Sequence, residues 1–330
     1  MILAGDIGGT HSRLAFFDVS NGDFRLVSAS VFASREYSSL DEIVLQYVSS
    51  SGMHPDTACF GIAGPVRNGR VEASNLPWVI ESQRLADEIK IPSAILINDL
   101  EANAWGISTL GPDDVVCLNK VRGNPEGNQA VIAAGTGLGE AGMYWDGSQH
   151  HIFPSEGGHC DFAPRNDLET DLLRYLRTRF GHVSYERIVS GPGLVNVFHF
   201  LRDSGRGVEP SWLTEQMAHS DPAAAISTAA MAGKCLLCEQ ALDLFISIYA
   251  AEAGNLALKT MAIGGIYIGG GIAPKMVSKL AGPLFMQSFV AKGRLQHLLE
   301  AIPVRVIMND MAALQGAAQC SIVKSAALVR

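Results

Sequence analysis

Two glycine-rich turns constrain this chain more than anything else in it. One is Asp6-Ile7-Gly8-Gly9-Thr10, the other Ala134-Gly135-Thr136-Gly137-Leu138-Gly139. Each follows a short apolar run that reads as a strand, and each leads into another strand. Gly-Gly-Thr and Gly-Thr-Gly close tight turns whose backbone N–H groups can face an anion, with a hydroxyl beside them. Neither is a Walker loop, because no Gly-Lys-Ser/Thr ends it, and neither is a Gly-x-Gly-x-x-Gly that opens a helix. One such turn alone reads as an ordinary hairpin. Two of them, with the acidic residues described below, read as phosphate turns that grip a polyphosphate from both sides.

The segments around the turns repeat one grammar. Residues 2–7, 12–19 and 27–33 are predicted strands. Ser39 caps a helix whose apolar residues Leu40, Ile43, Val44, Tyr47 and Val48 follow the helical period, with Gly52 as its stop. Residues 57–63 and 94–97 are buried strands, followed by a helix from about residue 101. The pattern restarts with strands over 130–134 and 140–145 around the second turn, and 151–154 reads as extended. Asn166 with Glu169 makes a capping-box-like helix start, and Asp221-Pro222 starts another with Pro at its first position. A long helical tract covers about 233–260, then come strands over 265–268 and 304–308 and a C-terminal helix from about 311. The C-terminal helix is rich in small apolar residues and is expected to pack back on the first lobe. The fold class expected is therefore α/β with two lobes and a ligand cleft between them, a structural repeat without sequence repetition. The domains expected are 1–98 plus 310–330 (the smaller) and 99–309 (the larger).

Bulk properties exclude several function classes. The 330 residues suffice for two domains, and a hydrophobic content of 48% with 18% charged residues excludes a disordered chain. The net charge of −8, without a Lys/Arg tract, argues against a nucleic-acid surface. The first residues enter a strand at once with no basic leader, and the longest apolar stretch, 261–273, is Gly-rich and too short to span a bilayer. A cytoplasmic protein with no membrane partner is expected. Of the six cysteines only Cys235 and Cys238 are close in sequence. Their i, i+3 spacing inside an apparent helix lacks two further ligands, so free thiols and no structural zinc are expected.

Five places carry residues suited to chemistry or to ligand approach. Asn98-Asp99 ends a buried strand, where α/β folds present catalytic groups. Asp99 can take a proton from a hydroxyl and Asn98 can fix a neighbouring oxygen, although Asp99 could equally cap the next helix. In Ser155-Glu156-Gly157-Gly158-His159 the glycines let the chain turn so that Glu156 and His159 share a side, giving acceptors and a donor for vicinal hydroxyls. The alternative is a plain surface turn. Glu186, at a helix start, reads by itself as a solvated carboxylate or the partner of Arg187. Asp6 directly precedes the first turn and would face a phosphate-bound metal through water. Gly269, Gly270 and Gly271 after a strand allow a base or ribose to approach the backbone, or serve close packing.

Taken in order, Asp6–Thr10, Ile97-Asn98-Asp99, Ala134–Gly139, Ser155–Pro164 (Ser-Glu-Gly-Gly-His-Cys-Asp-Phe-Ala-Pro), His182–Arg187 (His-Val-Ser-Tyr-Glu-Arg), Ser190–Leu194 and Ile268–Pro274 resemble the bacterial glucokinase family of the hexokinase–actin superfamily. The resemblance runs from residue 2 to about 320. Sugar kinases share the single motifs widely, but the segments at 155–164 and 182–187 together are close to family-specific. The resemblance implies the two-lobed actin-like ATPase (ribonuclease H-like) fold and an ATP-dependent, Mg²⁺-assisted phosphorylation of D-glucose to glucose 6-phosphate. Asp99 would be the general base for the 6-hydroxyl, with Asn98, Glu156, His159, Glu186 and Asn75 at the sugar. Gly5, Asp6, Ile7, Gly8, Gly9 and Thr10 would serve the nucleotide and metal, Gly135, Thr136 and Gly137 the second phosphate loop, and Gly269 to Gly271 the adenosine. Three other readings stay open. They are a kinase of another hexose or amino sugar, a glycosidase using Asp99 and Glu156, and a non-catalytic actin-like ATP-binding protein. Two departures stand out: His11 occupies the place where many relatives carry Asn, and a single cysteine, Cys160, follows His159 where the repressor-type sugar kinases carry a zinc cluster. A homodimer is left open.

Overall fold

Alternation along the first strand organises the amino-terminal part of the chain in the computed structural model, which describes residues 1–20, 23–121, 123 and 125–328. Strand β1 (Ile2–Ile7) pairs antiparallel with β2 (His11–Ser20), which pairs with β3 (Asp23–Ala33). On its other side β1 runs parallel to β4 (Thr57–Ile62). A small hairpin, β5 (Arg70–Glu72) and β6 (Val79–Glu81), follows, and β7 (Ala94–Asn98) then runs parallel to β4. Leu3 and Ile7 point to the face covered by α1 (Leu40–Ser51) and α2 (Ser82–Ile89), among Ile43, Val44, Tyr47 and Leu85. Ile2 and Ala4 point the other way, to the face covered by α3 (Asp99–Ile107) and the C-terminal helix Ala312–Leu328. The period of two thus buries both faces of this sheet.

The second part repeats the plan. Strand β9 (Gln129–Ala134) pairs antiparallel with β10 (Leu138–Trp145) around the second glycine turn. It also runs parallel to β12 (Gly265–Gly269), which is parallel to β13 (Val304–Ile307). Strands β8 (Val115–Cys117) and β11 (His150–Ser155) close the two edges. The helices are α4 (Asp167–Arg177), α5 (Gly191–Asp203), α6 (Ser211–His219), α7 (Pro222–Met231), α8 (Leu236–Thr260), α9 (Val277–Leu280), α10 (Pro283–Val290) and α11 (Gln296–Glu300). Helix α8 is apolar nearly all round because it is the buried axis of this core, with Phe245, Tyr249 and Leu256 inaccessible or nearly so.

Caps lie where the residue types demand them. Ser39 accepts from Glu42 N, Asn166 from Glu169 N and Asp221 from Ala223 N, while Gly52 ends α1 in the left-handed region at φ 66°. Four expectations are corrected. Helix α3 starts at Asp99, two residues early, because Asn98 rather than Asp99 takes the cap, accepting from Leu100 N. Cys235 is the residue before α8 and not inside it, since the helix begins at Leu236. Glu186 lies in a single 3-10 turn, Tyr185–Arg187, and not at the start of an α-helix. By length and composition α8 could cross a membrane, which the 261–273 stretch could not, but 78% of its most apolar window is buried in the protein.

Two compact units result. One comprises residues 1–114, 152–154 and 309–330, the other 115–151 and 155–308. Residues 99–114, assigned to the larger domain in the sequence reading, group with the first unit because α3 lies flush against the C-terminal helix. Small residues make that contact. A Cβ on Gly316 would stand 1.9 Å from Ala102 O, and one on Gly106 would stand 2.1 Å from Ala312 O. Gly316→Val should therefore force these helices apart and lower the unfolding free energy by about 3 kcal/mol, read as a drop in the urea midpoint. An unchanged midpoint would show that the contact is not close-packed.

Candidate functional site

In the first unit the parallel register sets the geometry. Ile7, Ile62 and Asn98 lie side by side across β1, β4 and β7. At a strand spacing of about 4.8 Å, the first glycine turn and Asp99 leave the same sheet edge about 10 Å apart. The turn is braced from behind: Gly8 N donates to His11 O at 3.0 Å, and Ser34 Oγ donates to Gly8 O at 2.8 Å and meets Ser12 Oγ at 2.9 Å. Ser12 and Ser34 are fully buried and were not singled out by sequence, since serines in a strand and at its end carry no motif. His11 has an exposed side chain, and its carbonyl closes the turn.

Asn75 sits directly on this turn, where a Cβ on Gly9 would stand 2.5 Å from Asn75 Cβ. Its loop is pinned by Ser74 N donating to Ala63 O at 3.0 Å. Asn98 Nδ2 donates to Gly64 O at 3.3 Å, so the Asn98-Asp99 corner and the Asn75 loop share one support. Asp99 is the first residue of α3, and its Oδ1 accepts from Leu100 N at 2.9 Å. Asp6 stands opposite Arg13 in the β1–β2 register, with Arg13 Nε 3.5 Å from Asp6 Oδ2. Burial raises the Asp6 carboxyl above its ordinary value and Arg13 opposes the rise. Arg13 also donates to Asp310 O at 3.0 Å. Gly5 and Ile7 lie within β1, and Gly5 faces Phe60 and Leu14 in the sheet core and not solvent.

In the second unit the two most distinctive segments are joined by backbone pairing. Phe162 N donates to Val183 O at 2.9 Å and Tyr185 N to Cys160 O at 3.1 Å. This bridge brings Glu186 to the turn carrying Glu156 and His159. His159 Nδ1 lies 3.9 Å from Glu186 Oε1, and His159 Nε2 lies 4.0 Å from Glu156 Oε2. Glu186 Oε2 accepts from Leu138 N at 3.0 Å, at the exit of the second glycine turn. A Cβ on Gly137 would stand 2.5 Å from that same oxygen. The Glu156–His159 turn and the second glycine turn are therefore joined through Glu186 and this backbone bridge. Arg187 is turned away from Glu186, its guanidinium stacked 4.3 Å above the Phe180 ring.

The second turn is itself tied down. Gly135 N donates to Gly137 O and Gly191 N to Gly135 O, both at 2.8 Å. Beside it opens a cavity of about 1210 Å³. Gly135 and Thr136 form one wall, the start of α5 with Asn196 and His199 another, and α7 from Asp221 to Ala232 a third. Gly271, Ile272, Lys275 and Met276 complete it. Of the three glycines expected here, Gly271 lines the cavity. Gly270 instead lies at φ 81° against the backbone of Ala134, and Gly269 closes β12. Burial, and then the charges of Arg202 and Arg179, hold the His199 imidazole below its ordinary value. Asn196, His199 and Lys275 carry no sequence motif and were not anticipated. Among the described residues no cluster of three metal-type side chains occurs, and Cys235 and Cys238 are both buried thiols.

The family model described as Glucokinase matches residues 3–323. The glucokinase of Nostoc sp. is 43% identical over 97% of this chain and 98% of its own. A crystal structure of glucokinase from an Antarctic psychrotroph is 32% identical, with a TM-score of 0.83 over 98% of each chain. A ROK family glucokinase from Streptomyces griseus, solved in complex with glucose and AMPPNP, is 22% identical with a TM-score of 0.64 over 98% of this chain and 99% of its own, and shares the two-lobed actin-like fold.

Proposed function

Because the chain belongs to the glucokinase family, we propose that it transfers the γ-phosphoryl group of ATP to the 6-hydroxyl of D-glucose. The observation that carries this reading is the hydrogen bond from Leu138 N–H to Glu186. It binds a cluster suited to vicinal hydroxyls to a turn suited to phosphate. A glycosidase has no use for such a turn, and a non-catalytic nucleotide-binding protein has no use for Glu156 and His159.

The chemistry asked of the protein is positioning and charge placement more than covalent work. Asp99 accepts the 6-hydroxyl proton as that oxygen bonds to the γ-phosphorus. The bond from phosphorus to the β–γ bridging oxygen breaks, ADP leaves, and Asp99 returns its proton to solvent. Asn98, Asn75, Glu156, His159 and Glu186 hold the remaining hydroxyls. The first turn, Gly8 to Thr10, and the second, Gly135 to Gly137, supply N–H groups to the phosphates, and the cavity beside Gly271 takes the nucleoside. Asp6 is a hard oxygen donor at the edge of the first turn, with a single arginine against it. That environment fits a Mg²⁺ held through water, which when bound neutralises phosphate charge. The enzyme so read acts in the cytoplasm on a soluble sugar and feeds glycolysis.

A coupled assay of ADP release with several sugars and donors tests the assignment. Asp99→Asn should lower kcat by about 10²-fold or more while glucose binding, measured by calorimetry, is retained. Near-normal turnover would remove Asp99 as the base. Glucose should be preferred to mannose, 2-deoxyglucose, N-acetylglucosamine and fructose, because a missing or misplaced hydroxyl leaves a site group unpaired at about 1–3 kcal/mol. Glu156→Ala should lower kcat/KM for glucose strongly and narrow its advantage over a hexose altered at the contacted hydroxyl. Equal loss on every sugar would deny Glu156 that role.

A further inference from the structure

The turn that carries Glu156 and His159 rests on a carboxyl group that the mechanism does not use. Gly157 and Gly158 lie directly on the start of β10. A Cβ on Gly157 would stand 1.9 Å from Glu140 Oε2, and one on Gly158 would stand 2.0 Å from Leu138 O. The Glu140 side chain is 1% exposed, and its Oε1 is buried with no hydrogen-bond partner. A buried, incompletely satisfied carboxyl is costly, so its persistence beneath a functional turn calls for a role.

Its surroundings define its charge. From α8, Glu252, Lys259 and Tyr249 face it. Lys259 Nζ donates to Glu252 Oε1 at 3.1 Å, and Asn255 Nδ2 donates to Glu252 Oε2 at 2.7 Å and to Tyr185 OH at 3.1 Å. Lys259 therefore spends its charge on Glu252, and Cys160 also lies near it. The residue opposite Glu140 on β9 is the apolar Ile132. Burial first, and then the Glu252 charge, push the Glu140 carboxyl up to about 8, against the pull of Lys259.

Resting on the sugar-binding reading above, we propose that Glu140 is a positioning residue whose uncharged carboxyl is the seat of the Glu156–His159 turn, and that its ionisation unseats the turn and weakens sugar binding. An anion in this position lies beside Glu252 and is shut off from bulk solvent by burial. The side of the group that can give way is the glycine turn above it, held by His159 N donating to Glu156 O and Cys160 N to Gly157 O.

The test follows KM for glucose from pH 6 to 9 in wild type and in Glu140→Gln, which keeps the shape and cannot ionise. With only the uncharged form competent, wild-type KM is flat to pH 7 and rises about ten-fold by pH 9. Its kcat at saturating glucose holds. The Gln variant should lack this rise, and Glu140→Ala should raise KM at every pH. Lys292, lowered to about 8 and bonded to Asn255 Oδ1, is the rival source of such a limb. A limb that survives in Glu140→Gln, or a flat wild-type profile, overturns the proposal. A substrate-free readout separates this from failure of the functional reading. Hydrogen exchange at the His159 and Cys160 amides, corrected for intrinsic rate, should lose protection between pH 7 and 9 in wild type and keep it in Glu140→Gln. Equal behaviour of the two proteins overturns the proposal whether or not glucose is a substrate.

Discussion

A strand that pairs antiparallel on one side and parallel on the other can end in only one way here, in a tight reversal at the carboxyl edge of the sheet. Strand β1 is such a strand, between β2 and β4, and β9 is another, between β10 and β12. The reversal must be narrow enough to pair at once, and Gly8-Gly9 and Gly135-Thr136-Gly137 meet that demand. The parallel neighbours then deliver their own ends to the same edge: Asn98 from β7 in one unit, Gly269 from β12 in the other. In each unit the glycine turn and the end of a parallel strand share an edge because the hydrogen-bond register leaves them nowhere else to go.

Within the second unit the site depends on polar contacts that do little for stability. Glu186 is about three-quarters buried, and its carboxyl accepts from the Leu138 N–H and lies beside His159. Replacing a whole buried ion pair by apolar residues of similar shape often leaves a fold as stable or more so. The same holds for Glu252, fully buried with Lys259 and Asn255 on its oxygens. The buried residues of α8 are otherwise cysteine, alanine, glycine, leucine, isoleucine and aromatic, so Glu252 is the one buried charged residue of the helix. What Glu186 provides is direction: through Leu138 N it fixes one conformation of a turn that two glycines would otherwise leave free.

Much of this was legible beforehand, for identifiable reasons. Ser39, Asn166 and Asp221 announce helices because a cap is a local event, settled by a side chain and a backbone N–H three residues away or fewer. The glycine turns were readable because tight reversals restrict residue type. Asp99 could be read as the cap of α3 because Asn and Asp both cap well, and the extended ψ of 152° at Asn98, with its side chain accepting from Leu100 N, gives the cap to Asn98. The α3–C-terminal contact was half visible: the small residues were plain, but that they bind 99–114 to the first unit is a matter of which surface Gly106 meets. Ser12, Ser34, Asn196 and His199 were invisible, since their roles arise from contacts across the fold and leave no local pattern.

Glu140 shows where local reading ends. By sequence it is the last residue of a Gly-Thr-Gly-Leu-Gly-Glu string, at a position where a hairpin strand turns inward. Strand alternation places Leu138 and Glu140 on one face, and Leu138 is 4% exposed in the core, so Glu140 has no route to solvent without breaking the pairing with Ile132. A carboxylate that cannot reach water must find a cation or keep its proton. Lys259 is already engaged by Glu252, so the proton stays until pH approaches about 8. The charge state of the residue is therefore decided by strand period, by the position of one lysine and by the glycines that lie over it. Those same glycines leave the turn no side-chain packing of its own, so the uncharged carboxyl beneath them governs how firmly Glu156 and His159 are held.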